Sequence, residues 1–312
     1  MKKSLAFIIN PASAFGKTKK KIKAILKEVK EQRSDAEIFE TYHPLHAISL
    51  TKEALKNGSE RIVVVGGDGT LNEVVNGFFD QNGELINKNA SLAIIPSGSG
   101  SDFVRNLPQK ENLSEAVDFA INGQESLCDV GFIEAKDANS KNISRYFINV
   151  SSIGLSGLVA GFMRTTTRKF GPTAAYFMST VKAIKALEPQ TIVISDEHGV
   201  ENMIPNCSLV SFANGKFYGS GMKIAPMAKL DDGLFDVIAI KDLSVGFFLM
   251  NGYRVYQGTH LELDNVNVSK VSSCYVRSLG NTPVYIETDG ELFAQLPAQF
   301  SVKKRILAVV KS

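Results

Sequence analysis

The feature that most constrains this chain is the string Val63-Val64-Val65-Gly66-Gly67-Asp68-Gly69-Thr70-Leu71-Asn72-Glu73. Arg61–Val65 is β-branched and bounded by glycine, the pattern of a strand buried on both faces. Leu71, Val74, Val75, Phe78 and Phe79 then recur with helical spacing and predict one apolar face of a helix. The glycines between them permit a turn tight enough for backbone N–H groups to approach an anion, at the positive end of the new helix. A strand with two apolar faces, followed at once by a helix, calls for a sheet covered on both sides.

The same order recurs through the first third. Ser4–Ile9 is an apolar run ended by Asn10-Pro11, and a lysine-rich helix follows to about Arg33. Glu37–Thr41 reads as a strand, Ala47–Lys56 as a helix and Leu92–Ile95 as a buried strand. Ser114 reads as the cap of a helix over Glu115–Ile121 that Gly123 ends. This alternation predicts a doubly wound, mostly parallel α/β sheet. After about residue 127 short β-rich runs dominate: Val130–Ala135, Tyr146–Val150, Thr191–Ser195, Ser208–Ala213, Leu234–Ile240, Leu261–Val268, Cys274–Arg277 and Val284–Thr288. Those runs predict an antiparallel sandwich, interrupted by helices at about Pro172–Leu187 and Val245–Gln257. A length of 312 residues suits two such domains.

Composition mainly excludes. With 44% hydrophobic and 21% charged residues the chain can bury a sizeable core, and a net charge of +3 makes no case for nucleic acid. The basic run Lys17–Lys23 reads as a solvated helix face. Cys128, Cys207 and Cys274 match no metal-ligand spacing and are expected to be reduced thiols of a cytosolic protein. The apolar run after Met1-Lys2-Lys3 is too short for a signal peptide, and no stretch reaches the length of a membrane span. Any meeting with a membrane is expected to be peripheral.

Asp68 is the informative residue of the glycine turn. A bare carboxylate would repel a phosphate, so Asp68 makes sense if Mg²⁺ intervenes or if it takes the proton of an attacking hydroxyl; capping the helix is the plainer alternative. Pro96-Ser97-Gly98-Ser99-Gly100-Ser101-Asp102-Phe103 repeats the form after the next strand. Two such loops at the carboxyl ends of adjacent parallel strands would face one crevice, which points to a nucleotide. Asn10-Pro11-Ala12-Ser13-Ala14-Phe15-Gly16-Lys17-Thr18 also joins strand to helix, but Pro11 stands where a P-loop needs its first glycine. Ser13 and the backbone there could still hold phosphate. Farther on, Lys229-Leu230-Asp231-Asp232-Gly233-Leu234 reads as a hairpin turn that could also hold a hard cation. Glu287-Thr288-Asp289-Gly290-Glu291 gathers three carboxylates and is consistent with an exposed turn or a catalytic one. His43 and His46 lack partners for a zinc set, and no Gly-x-Ser-x-Gly elbow supports a serine hydrolase.

Taken together, these segments resemble the diacylglycerol kinase catalytic family, which includes bacterial soluble lipid kinases and sphingosine and ceramide kinases. The resemblance is carried by Asn10-Pro11, Gly66–Asn72, Pro96–Phe103, Asp129-Val130-Gly131, Asn149–Gly154, Asn214–Asp236 and Asp289-Gly290-Glu291. It implies a nucleotide-binding α/β domain related to phosphofructokinase and NAD kinase over residues 1–127 and a β-sandwich lipid domain over 128–296, with strands of about 297–312 returning to the first. It implies ATP contacts from Asn10, Pro11, Ala12, Ser13, Ala14, Thr41, Gly66, Gly67, Asp68, Gly69, Thr70, Leu71, Asn72 and Ser99. It also implies a structural Mg²⁺ at Asp232 and the carbonyls of Lys229 and Leu234. Two positions depart from the family pattern: Ser101 stands where Asn is usual, and Ala14 where Gly is usual.

The expected reaction is in-line transfer of the ATP γ-phosphoryl to a lipid hydroxyl at the domain cleft. Asp68, Asp102 and Asp129 would organise catalytic Mg²⁺, and Glu291, or else Asp289 or Asp68, would accept the hydroxyl proton. Diacylglycerol is the acceptor placed first, ahead of a sphingoid base, ceramide or isoprenoid alcohol. The rivals are an NAD kinase, which shares the Gly-Gly-Asp-Gly-Thr loop, and an inactive lipid- or nucleotide-binding regulator. A cytoplasmic, peripherally membrane-associated protein is expected, with a homodimer left open. Phe162-Met163-Arg164 through Arg168-Lys169-Phe170 is the segment that could face the membrane.

Overall fold

A computed structural model describes residues 3–13, 18–97, 100–108, 110, 112–137, 141–166 and 172–311. Ala14, Ser99 and the Arg168–Phe170 segment singled out above lie outside the described residues. The chain divides into two compact units, Met1–Cys128 with Arg305–Ser312, and Asp129–Lys304.

In the first unit the elements run β1 (Leu5–Ile9), α1 (Thr18–Gln32), β2 (Glu37–Glu40), α2 (His46–Lys56), β3 (Arg61–Gly66), α3 (Asp68–Gly77), β4 (Ser91–Pro96) and α4 (Leu113–Asn122). The strands lie in the order β2-β1-β3-β4, all parallel. Ala308 and Val309 continue the sheet, pairing parallel with Ser91 and Leu92. Leu5, Phe7, Ile9, Val63 and Val65 point to one face, where Ile22, Ile25 and Val29 of α1 and Val117 and Ala120 of α4 cover them. α2 and α3 cover the other. Burial on both faces explains the continuous apolar runs of β1, Ile62–Val65 and Leu92–Ile95, whereas the edge strand β2 carries Glu37 and Glu40 exposed. The cap of α4 is Asn112 rather than Ser114: its side chain accepts the Glu115 N–H at 2.9 Å and donates to the Glu115 carboxylate at 2.7 Å. That reciprocal pair outcompetes a single serine contact.

The second unit begins within β5 (Glu125–Lys136) and continues through β6 (Asn142–Phe147), β7 (Val150–Gly154), α5 (Leu155–Thr165), α6 (Pro172–Ala186), β8 (Gln190–Asp196), β9 (Glu201–Ala213), β10 (Phe235–Lys241), α7 (Val245–Asn251), α8 (Tyr253–Gln257), β11 (Val266–Val271), β12 (Ser273–Ser278), β13 (Tyr285–Thr288) and β14 (Glu291–Val310). Pairing is antiparallel, with β9 between β10 and β7 over one stretch and beside β8 over another. Phe147, Phe212, Phe235 and Phe300 fill the sandwich, the Phe212 and Phe300 rings stacking at 4.1 Å. On the other side of β7, β9 and β10, residues of α5, α6, α7 and α8 form a separate helical layer.

Four expectations are corrected. Tyr146–Val150 is not one strand: the chain breaks at Ile148 and Asn149, whose N–H groups turn to the Asp289 carboxylate, and β7 begins at Val150, paired with Ala213. α5 was not foreseen, because its glycine-bearing sequence has weak helix propensity. Close packing compensates, since a Cβ on Gly157 would lie 2.7 Å from Tyr285 Cβ. The helix expected at Val245–Gln257 breaks at Gly252 into α7 and α8. Finally the chain re-enters the first unit at Arg305, not at about 297, because Ala298–Ser301 still pair with β12.

Candidate active site

In the first unit the predicted loops meet at the carboxyl ends of the parallel strands. Asn10 donates its backbone N–H to Val65 O at 3.0 Å and its side-chain amide to Thr70 Oγ1 at 2.9 Å. Its Oδ1 accepts the Ala12 N–H at 2.9 Å, so one side chain ties the first loop to the glycine turn. Ser13 Oγ lies 3.2 Å from Ser97 Oγ, and Ser97 N–H donates to Gly66 O at 2.9 Å. Thr41, just past β2, donates its N–H to Ile9 O at 2.8 Å. Gly66 is required by closeness: a Cβ there would lie 2.7 Å from Thr70 Cβ. Thr70, Leu71 and Asn72 are buried in α3, so Gly67, Asp68 and Gly69 are left to form the helix mouth.

Asp68 occupies the first turn of α3 and accepts the Phe103 N–H at 3.3 Å. Burial pushes its carboxyl above the usual range, and backbone N–H groups of Asp102, Phe103 and Ser101 oppose that push only in part. No Lys or Arg pairs with Asp68 among the described residues. A half-buried carboxylate without a counter-charge, beside an anion-binding turn, has the chemistry of a divalent-cation ligand. Asp102 is buried, with Arg105 Nε 3.4 Å from its Oδ1. Ser101 adopts φ +51°, a left-handed conformation in which Asn is better tolerated than Ser, and its buried hydroxyl has no partner among the described residues.

In the second unit the predicted residues are joined by a network. Asp129 is fully buried; its Oδ2 accepts the Gly233 N–H at 2.6 Å and its N–H donates to Leu230 O at 2.7 Å. Asn214 Nδ2 donates to Asp129 O at 2.9 Å and to Ile148 O at 2.7 Å. The Asp289 carboxylate accepts the N–H groups of Ile148, Asn149 and Val150, each at 3.1 Å. Asp289 and Gly290 have φ of 47° and 92°, a tight hairpin that leaves Glu291 exposed as the first residue of β14. Asp289 therefore holds the turn, while Glu291 is the free carboxylate.

The two expected Mg²⁺ sets fare differently. Asp68 and Asp102 lie on adjacent loops and would need phosphate oxygens to complete a cation site: Arg105 already faces Asp102, and among the described residues no group of three or more His, Cys, Asp or Glu side chains forms a cage. The turn at Lys229, Asp232 and Leu234 does not fit a divalent ion as it stands. Asp232 accepts the Leu234 N–H at 3.1 Å, and Lys270 Nζ lies 3.1 Å from its other oxygen and 3.2 Å from Asp236. The lysine already supplies the positive charge.

Sequence reasoning missed a cavity of about 300 Å³ in the second unit. Its walls include Leu155 and Val159 of α5, Tyr176 and Phe177 of α6, Phe247 and Phe248 of α7, and Met222. Two lining residues carry buried polar atoms without partners among the described residues, Ser156 Oγ and His260 Nδ1. His260 is 1% exposed, with Nε2 3.0 Å from Ile224 O, and burial pushes its pKa down. No local motif marks either residue; strands and helices far apart in sequence assemble the pocket.

An α/β unit with phosphate-type loops and a β-sandwich unit with an apolar pocket define the class. Residues 4–133 match the model of the diacylglycerol kinase catalytic domain, and residues 149–311 that of the YegS C-terminal NAD kinase beta sandwich-like domain. The chain belongs to the diacylglycerol kinase catalytic-domain family, in the form that carries this C-terminal sandwich. It is 28% identical to a diacylglycerol kinase of Staphylococcus carnosus, over 99% of this chain and 95% of that one. It is 26% identical to one of Mycobacterium tuberculosis H37Rv, over 97% and 94%. A crystal structure of a diacylglycerol kinase from Bacillus anthracis superposes with a TM-score of 0.71 at 21% identity, covering 100% of this chain and 97% of that one. Yeast NADH kinase shares the fold more distantly, with a TM-score of 0.53 at 10% identity over 100% and 84%.

Proposed function

We propose that this protein is an ATP- and Mg²⁺-dependent lipid kinase that transfers the γ-phosphoryl group to a lipid hydroxyl, with diacylglycerol as acceptor and phosphatidic acid as product. The observation that carries the reading is the apolar cavity of the second unit, which suits a long-chain acceptor and not a dinucleotide. Ser156 and His260 would meet a carbonyl or hydroxyl of an otherwise apolar ligand. The names of the relatives point the same way.

In this reading the Gly66–Thr70 loop holds the nucleotide phosphates through backbone N–H groups, while Asn10–Ser13, whose own N–H groups are engaged by Val65 O, Asn10 Oδ1 and Asn10 O, lines the site beside it with the Ser13 hydroxyl. Thr41, Leu71 and Asn72 belong to the same surround, and the family resemblance adds Ala14 and Ser99. Asp68 and Asp102 would hold Mg²⁺, with Asp129 as the family's third carboxylate. The ion supplies charge neutralisation on the transferring phosphoryl group. Glu291 accepts the proton of the attacking hydroxyl; Asp289, engaged by three N–H groups, positions the turn.

The lipid would be met at a membrane surface. Residues 155–187 contain no Asp or Glu but include Arg164, Arg168, Lys169, Lys182 and Lys185. Phe177, Leu249, Tyr253 and Tyr256 are exposed and line the cavity as well, with Met178 and Met250 exposed nearby in sequence. Aromatic and methionine side chains backed by cations suit an anionic interface. No helix among the described residues is long and apolar enough to cross the bilayer.

The test is to incubate purified protein with γ-labelled ATP, Mg²⁺ and total lipid extract of the source organism, with NAD in a parallel reaction. Mass spectrometry of the labelled product should identify phosphatidic acid. Labelled NADP without labelled lipid would assign the protein to the NAD kinases. Nucleotide binding with neither product would make it a regulator.

A further inference from the structure

Glu287 is the most deeply buried acid of the turn that carries Glu291. It is 5% exposed, on β13. One carboxylate oxygen accepts the Ser152 hydroxyl at 2.7 Å, and the other accepts the N–H of Gly290, the residue directly before Glu291. Its backbone carbonyl accepts the Ser151 hydroxyl at 2.7 Å. The residues opposite it are Ser152 on β7 and Leu292 on β14, and the charges that act on it are those of Asp289 and Glu291. Asp289 fixes the turn from one side through residues 148–150, and Glu287 fixes the Gly290 peptide from within the hairpin.

We propose that Glu287 is a positioning residue whose ionised carboxylate holds the Gly290 N–H and thereby aims Glu291 at the acceptor hydroxyl. A hydrogen bond to a charged acceptor is about twice as strong as one to a neutral group, so protonation of Glu287 loosens the peptide that precedes the base. Burial raises its pKa to about 7, helped by the neighbouring Asp289 and Glu291 charges and opposed by the Ser152 and Gly290 hydrogen bonds. Turnover is then gated near neutral pH by a residue that never touches substrate. The inference rests on Glu291 as proton acceptor and on the lipid-kinase reading.

The experiment is the pH dependence of kcat, from pH 5.5 to 9, for wild type, Glu287→Gln and Ser152→Ala on diacylglycerol micelles. Wild type is expected to lose activity below about pH 7. Glu287→Gln keeps an acceptor for Gly290 at every pH, so that limb should vanish, with kcat at pH 8 lowered about threefold to tenfold and KM for ATP unchanged. Ser152→Ala removes a contact that favours the ionised form and should move the limb to higher pH. Turnover retained by Glu291→Gln would remove the premise. An inactive Glu291→Gln together with a wild-type limb in Glu287→Gln would overturn the positioning role itself.

Discussion

The two units build their sites in opposite ways. In the first, the Asn10, Gly66 and Pro96 loops directly continue buried strands, and Gly66–Thr70 presents N–H groups through its own glycines and the dipole of α3, steadied by short contacts to Asn10 and Ser97 of the neighbouring loops. In the second, Asp129, Asn214, Asp289 and Gly233 come from separate elements and are placed by hydrogen bonds across as many as 141 residues of sequence. A site of the first kind is written in consecutive residues. A site of the second kind depends on the whole sandwich having formed. Substitutions in the first unit should therefore act locally on nucleotide binding, and those in the second should act on stability and turnover together.

The strongest way to break this contrast is Asp289→Ala. It strands three buried N–H groups and places alanine at φ +47°, so we expect a loss of about 3 kcal/mol or more in urea unfolding. Asp289→Asn, which keeps an acceptor and tolerates that φ, should lose clearly less. A neutral Asp289→Ala would mean that the network does not hold the site.

Glu287 gives an effect of similar size but with a magnitude set by pH. Its folded pKa of about 7 lies above the ordinary 4.5, so its contribution to stability is complete below about pH 4.5 and is lost as pH rises through 7. The full shift corresponds to about 3 kcal/mol. Glu287→Gln should thus raise Tm at pH 8 and have little effect at pH 4.5, as followed by calorimetry. A Tm difference independent of pH would contradict it.

In the first unit, Gly66→Ala should push Thr70 off Asn10 and weaken ATP binding about tenfold or more by calorimetric titration, at a stability cost of about 1–3 kcal/mol. Ser101→Asn relieves the left-handed strain and should add about 1 kcal/mol to stability, the smallest of these changes. No gain in Tm would show that the Ser101 backbone is not strained.

The parallel sheet was legible because burial on both faces leaves continuous apolar runs and because glycine turns mark the strand ends. The Asn10, Gly66 and Pro96 loops were legible for the same reason. α5 was not, since its stability comes from Gly157 lying against Tyr285 and not from its own propensity. The apolar cavity, Ser156 and His260 left no local signal, because burial and an orphaned polar atom are properties of assembly; Glu287 was visible as one of three carboxylates in its turn, but its burial was not. Lys270 is the instructive case: the acidic turn at Asp232 suggested a cation, and a lysine of β11 supplies it.

The most direct test of the account is the rate of labelled phosphoryl transfer from ATP to diacylglycerol by wild type and Glu291→Gln, with ATP affinity measured on the same samples. The account predicts labelled phosphatidic acid from wild type, and a rate for Glu291→Gln lower by about a hundredfold or more at unchanged ATP affinity. Equal rates, or no labelled lipid from wild type, would contradict it.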